Sequence, residues 1–147
     1  MSLQLGKSIY SLLSGNTSLH TFVQDKIFPI FAPDETMNPF ITYDLKSLNS
    51  YYTKDGFNYD VITLDVNIIS DNYSECISIA DSVRSALELK QGTYGGVEIT
   101  YSLLSNFSQN YGTDGFIATL EFTITCWFYI LFFSSEYLTY GNVCYAL

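Results

Sequence analysis

The chain has 147 residues, enough for a single domain with a substantial core, and its hydrophobic share of 48% and aromatic share of 17% argue against disorder. A formal net charge of −9 with only six Lys plus Arg, nowhere clustered, excludes a phosphate-gripping surface for tight duplex binding. Three cysteines, Cys76, Cys126 and Cys144, lie far apart with no CxxC pair, which argues against a disulfide framework or a structural zinc and for a reducing compartment. There are more aromatic side chains than one small core buries, so some are expected in a subunit interface.

The N-terminal MSLQLGKSIYSLL has one Lys and no long apolar region before a cleavage site, so no signal peptide is expected. Leu5, Ile9, Leu12 and Leu13 form a helical stripe that Gly15 ends. A short second helix follows, with Thr17 or Ser18 as cap and Leu19, Phe22 and Val23 facing inward. DKIFPIFAP, residues 25–33, is extended, and Pro29 excludes a central strand position there. From Asn38 to Leu48 a strand alternates Ile41, Tyr43 and Leu45 with Thr42, Asp44 and Lys46. Ser47–Asn58 is expected as a connecting loop with an Asp55-Gly56 turn at its tip, joining an antiparallel pair. That loop carries Tyr51, Tyr52 and Phe57; it is either a contact surface or folded back on its own sheet.

Tyr59–Gly96 carries the clearest pattern. Ile62, Leu64, Val66 and Ile68 share one strand face, with Thr63, Asp65 and Asn67 on the other. The period then switches to that of a helix, with Cys76, Ile79, Ala80, Val83 and Leu87 on one side. Asn72 and Glu75 fit a capping box, Lys90 suits the last turn, and Gly92 the left-handed position beyond it. In the second hairpin, Val97, Ile99, Tyr101, Leu103 and Phe107 alternate. Asn110–Gly115 makes the turn, and Phe116, Ala118, Leu120, Phe122, Ile124 and Cys126 alternate on the return. These elements predict an α+β fold: helix–β-hairpin–helix–β-hairpin, with a four-stranded, mostly antiparallel sheet flanked by helices. Residues 1–126 form the domain. Residues 127–147, WFYILFFSSEYLTYGNVCYAL, hold one charge in 21 residues and form an aromatic extension. It reads as part of the same domain, as a strand added to a neighbouring subunit, or as an altered terminus not selected for solubility. Its most apolar run, Cys126–Phe133, is too short to span a membrane.

Chemistry is absent from the pattern. His20, the one histidine, has no Cys, Asp or Glu at ligand spacing, and no G-x-S-x-G elbow accompanies it. Gly92, Gly95 and Gly96 run from helix to strand, opposite to a phosphate-cradling loop. Asp60 and Asp65 point to opposite strand faces, and Asp44 can approach Asp65 only across an exposed sheet face. No calcium loop or glycosidase pair is present. The expectation is therefore no catalytic, cofactor or metal residue, and structural or assembly work. The alternatives are a small oligomeric ligand-binding or regulatory domain with aromatics lining a pocket, and a hydrolase using His20.

Several segments, in order, resemble one family. IYSLLSGNTSLHTFV is similar to its helix, small turn and Leu-rich short helix. Lys26, Ile27, Phe28, Pro33, Pro39, Phe40, Ile41 and Tyr43 resemble its basic–Ile–aromatic then Pro–aromatic–aliphatic–x–Tyr pattern. Ala80, Asp81, Val83, Arg84, Ala86 and Leu87 resemble its Ala-Asp-x-Val-Arg-x-Ala-Leu helix, and Gly95-Gly96-Val97 its strand opening. Over about residues 5–126 the chain resembles the tail-completion, or tail-terminator, proteins of long-tailed bacteriophages and prophages. The resemblance implies a ring-like homo-oligomer, typically a hexamer, on the head-proximal end of the tail tube. Such a ring stops tube polymerisation and meets the tail-tube and head-completion proteins. DNA passes through it without specific binding, no cofactor or membrane is involved, and the protein moves from host cytoplasm to virion. The interface is then expected in Ser47–Asn58 and Phe107–Gly115, at Tyr51, Tyr52, Lys54, Asp55, Phe57, Asn110, Tyr111 and Asp114.

Overall fold

The computed structural model describes residues 2–127. A 3-10 turn at Ser2–Gln4 leads into α1 (Leu5–Ser14) and α2 (Thr17–Val23); β1 (Ile27–Pro29), β2 (Phe40–Thr53) and β3 (Gly56–Ser70) follow. Then come α3 (Tyr73–Leu87), β4 (Gly92–Tyr94), β5 (Val97–Gly112) and β6 (Gly115–Trp127). One curled sheet takes the order β1-β2-β3-β6-β5-β4. It has six strands, where four were expected, because the short β1 and β4 add to its margins. β1 pairs in parallel with Ile41–Tyr43 of β2, and every other pairing is antiparallel. Pro29 is tolerated because β1 is an edge strand.

The α3 crossover carries the chain past the position that β6 later fills, so β6 returns between β3 and β5. The β3–β6 register runs from Tyr59–Trp127 to Ser70–Phe116 without a shift. Ile62, Leu64, Val66 and Ile68 therefore lie beside Ala118, Leu120, Phe122 and Ile124, and all are buried. Fully burying each Val, Leu, Ile or Phe side chain contributes about 1.5–3 kcal/mol. The helices cover this face. Leu5, Ile9 and Leu13 of α1, Leu19 and Val23 of α2, and Cys76, Ile79, Val83 and Leu87 of α3 complete the same cluster.

Several local details differ from expectation. The α2 cap is Asn16, whose Oδ1 accepts from the Leu19 N–H at 3.1 Å, one residue before Thr17. α3 ends at Leu87, before Lys90 and Gly92, and Leu89 takes the positive φ of 57°. The α3 capping box works through a relay. Asn72 Oδ1 accepts from Ser74 N–H, while Glu75 accepts from the Ser70 hydroxyl, which in turn accepts from the Asn72 N–H. Ser47–Asn58 is not a loop: β2 and β3 continue through it to a two-residue turn at Lys54–Asp55. Likewise β5 runs on through Asn110 and Tyr111, and the turn is Thr113–Asp114. Bulges account for the misread alternation in β5. A register shift between Ile99 and Tyr101 turns Ser102 into the core and leaves Tyr101 and Leu103 on the helix-free face. Of the extension at 127–147, only Trp127, the last residue of β6, is described; the readings of its remainder lie outside the described residues.

Gly115 sits at φ 115°, and a Cβ there would stand 2.6 Å from the Ser70 carbonyl oxygen. Gly56, at φ 126° in the other hairpin, has open space around it. We expect Gly115→Ala to lower unfolding stability by about 1–3 kcal/mol, and Gly56→Ala by less. Urea midpoints measure both, and equal losses would contradict the close-approach account. Burial pushes the Cys126 thiol up to about 11, with the Asp60 carboxylate adding to the shift, and burial likewise raises Cys76. In a Cys144→Ser background both thiols should be silent to a disulfide reagent at pH 8 and react only after denaturation. Native-state labelling of either one would refute their place in the core.

Candidate assembly surfaces

The residues singled out in sequence fall into two groups, and the sheet holds them at opposite ends. Tyr59 pairs with Trp127 at one end of β3 and Ser70 with Phe116 at the other. The strand between them spans roughly 35 Å at about 3.3 Å per residue. Tyr51, Tyr52, Lys54, Asp55 and Phe57 lie at the Tyr59 end, around the β2–β3 turn. Asn110, Tyr111 and Asp114 lie at the Ser70 end, around the β5–β6 turn.

At the first end, aromatic residues in neighbouring strands form a ladder. Tyr51, Tyr59 and Trp127 are cross-strand partners on the helix-free face. The rings of Tyr51 and Tyr59 stack with centroids 4.8 Å apart, and those of Tyr59 and Trp127 with centroids 5.7 Å apart. Offset stacks of this kind add about 0.5–1.5 kcal/mol each beyond area burial and stiffen the arm. On the opposite face the buried Asp60 accepts hydrogen bonds from the hydroxyls of Ser50 and Ser2, which tie the base of the arm to the N-terminal segment. Tyr52 is exposed near the tip.

At the second end, Asn38 is the organising side chain. Its Nδ2 donates to Asp71 Oδ1 at 2.6 Å and to the Asp114 carbonyl at 2.7 Å, binding the β5–β6 turn to the β3–α3 junction. Beside it an open groove of about 490 Å³ is lined by Pro33, Asp34, Glu35, Met37, Asp71 and Asp114, among others. Ile30, Phe31 and Met37 stand exposed on the loop that leads to it. Tyr111 and Tyr73 each meet the Phe116 ring edge-on, at 5.0 and 5.7 Å. In sequence, residues 25–33 read only as an extended segment; the groove-lining role of the loop at 30–38 was not legible because the stretch has no periodicity to mark a face.

Between the two ends, the helix-free face carries a polar row. Asp44, Asp65 and Glu121 occupy one cross-strand row, and Asn106 continues it on β5. Asp44 is paired with Lys46 at 2.8 Å, an exposed contact of small energetic weight that raises the Lys46 pKa. Asp65 Oδ1 is shielded from solvent and accepts no hydrogen bond among the described residues. Glu121 was legible as facing away from the core; its place beside Asp65 was not, because that follows from the β3–β6 pairing. No group of three or more His, Cys, Asp or Glu among the described residues is placed to hold a metal ion. His20 is exposed in α2, its backbone carbonyl accepting from Gln24. No helix among the described residues is long and apolar enough to cross a membrane.

Comparison with known proteins bears on this arrangement. A search of curated proteins found no match. Among solved structures, the fold is shared with a chain from the virion of a native gene transfer agent particle, at a TM-score of 0.74 and 14% identity. The match covers 84% of this chain and 94% of that one. At that identity the likeness establishes the fold. A family model described as tail completion protein gp17 matches residues 7–127, which runs from α1 to the last residue of β6. The chain belongs to the tail completion protein gp17 family, and so among the structural proteins of bacteriophage virions.

Proposed function

We propose that this protein caps the head-proximal end of a phage tail tube, stops tube polymerisation and joins the tail to the head, without catalysis. The observation that carries the reading is the separation of two differently built contact ends on one sheet. One end presents Tyr51, Tyr52, Lys54, Asp55 and Phe57 on a stiffened arm. The other presents Asn110, Tyr111 and Asp114 beside an acidic groove. A joining piece needs two such ends, one for the tail-tube protein and one for the head-completion protein. Residues 1–126 supply this unit, and residues 127–147 are an aromatic extension of the same domain or an interface. Copies assemble into a ring, a hexamer by family resemblance, during assembly in the host cytoplasm. DNA passes through its lumen without specific binding. The helix-free face, with Asp44, Asp65 and Glu121, faces that passage, where negative charge keeps the phosphate backbone from adhering.

The two ends separate by mutation. Removing the gene should yield overlong or headless tails. Complementation with Lys54→Glu plus Asp55→Lys should disturb one junction, and Asn110→Ala plus Tyr111→Ala the other, as scored by tail length and head attachment in negative-stain images. Normal virions from the deletion would sink the proposal. Identical defects from both tip variants would sink the division of labour. Glu121→Lys should slow DNA exit in an ejection assay, and unchanged kinetics would remove the face from the passage.

A further inference from the structure

The margins of the sheet are covered over only part of their length. β1 pairs with β2 at Ile41–Tyr43 alone, and among the described residues no strand lies outside Asp44–Tyr51. β4 pairs with β5 at Val97–Ile99 alone, and the Leu89 N–H reaches the Ser102 carbonyl at 2.7 Å. Beyond Ser102, among the described residues, no strand covers Leu103–Gly112. Charge and proline, which normally blunt such edges, are confined on β2 to Asp44 and Lys46 and are missing from the rest. Leu103–Gly112, LLSNFSQNYG, contains no charged residue and no Pro, and neither does Ser47–Tyr51, SLNSY, in a chain of net charge −9. Large apolar side chains also stand out in them: Leu103 is 47% exposed, Phe107 43%, Tyr111 70% and Tyr51 48%.

The backbone amides of β5 show which way the edge points. The Phe107 N–H donates to Asn106 Oδ1 at 2.9 Å, and the Tyr111 N–H to Asn110 Oδ1 at 2.8 Å. Each asparagine shields the next residue's amide, so neither amide bonds β6. Alternation along an antiparallel strand puts Gln109 in the same outward-facing set.

We infer that the outer edge of β5 receives the outer edge of β2 from a second copy of this chain, with Asn106 and Asn110 yielding the Phe107 and Tyr111 amides to it. A copy is the occupant because both open edges belong to one chain and a copy covers both at once. Polarity agrees: β5 runs antiparallel to β2 within the sheet, so placing β2 of the next copy beside β5 continues the antiparallel alternation. Charge agrees as well, since two chains of net charge −9 meet along their uncharged segments. The two edges are different surfaces, so the contact is heterologous and propagates head-to-tail, which closes into a ring when the rotation per copy allows. The inference rests on the ring proposed above and assigns the strands that join it.

Cysteine pairing tests it. In a Cys144→Ser background, Asn49→Cys is mixed under mild oxidation with proteins carrying Cys at Asn106, Ser108 or Asn110, all on the helix-free face. A mixed disulfide with at least one of the three is expected, with little homotypic product from either parent. Gln109→Pro, which removes an outward amide and spares the β6 ladder, should weaken self-association at least tenfold by sedimentation while the monomer's circular dichroism is kept. Exclusively homotypic disulfides, no disulfide, or wild-type association of Gln109→Pro would each overturn the edge assignment. Negative-stain images of tail ends separate this from the parent reading. Rings present without mixed disulfides leave the ring standing and remove these strands from it. Tail ends without rings remove both.

Discussion

The unshifted pairing of β3 with β6 is the constraint on which the rest depends. Over its whole length these strands face each other residue for residue, and from Ile62 to Ile68 and from Ala118 to Ile124 each places an apolar side chain inward at every second position. A slip of one residue would turn the buried set to the helix-free face and bring Thr63, Asp65 and Asn67 into the core, so the register is held by burial itself. The outer pairs are less strict. β2 and β5 each accommodate bulges against their inner neighbours, and these bulges lend the sheet its extra twist. Regular pairing is thus concentrated at the centre and irregularity at the margins, where other molecules would meet the chain.

That arrangement explains how a small acidic protein can present distinct surfaces from one sheet. The helices cover one face and use nearly all the strongly apolar positions. The opposite face carries a central row of carboxylates with threonines and asparagines around it, flanked by Tyr101, Leu103 and the aromatic ladder. Excess aromatic residues are displaced outward, to the Tyr51–Tyr59–Trp127 ladder at one end and to Phe107 and Tyr111 toward the other. The sheet acts as a spacer: β3 belongs to one hairpin and β6 to the other, and their pairing from Tyr59–Trp127 to Ser70–Phe116 sets the two tips at opposite ends.

Much of this was legible in the residues. The stripes of α1, α2 and α3 and the inward faces of β3 and β6 follow from periodicity, because burial of one side is the same requirement for every amphipathic element. The family resemblance was legible for a related reason: its helix pattern is anchored by the core positions Ala80, Val83, Ala86 and Leu87. What misled was turn chemistry. Asn, Gly, Asp and Ser clusters at residues 47–58 read as a loop and at 110–115 as a long turn, yet long hairpin arms held by stacking rings and by the sheet carry such residues in strand conformation. Likewise the bulge near Tyr101 shifted the alternation, which no period-two template anticipates.

Composition, periodicity and spacing by themselves determined an acidic α+β domain, its helices, its two hairpins and the absence of a recognisable catalytic motif. Those properties are local, set by which side of each element must leave water. The tertiary structure alone decided that β6 lies between β3 and β5, that the two hairpin tips stand at opposite ends, and that Asp44, Asp65 and Glu121 share a row. It also decided that, among the described residues, β2 and β5 are left with open edges. These depend on strand order and register, which arise from pairing between residues far apart in the chain, and no single segment encodes its partner.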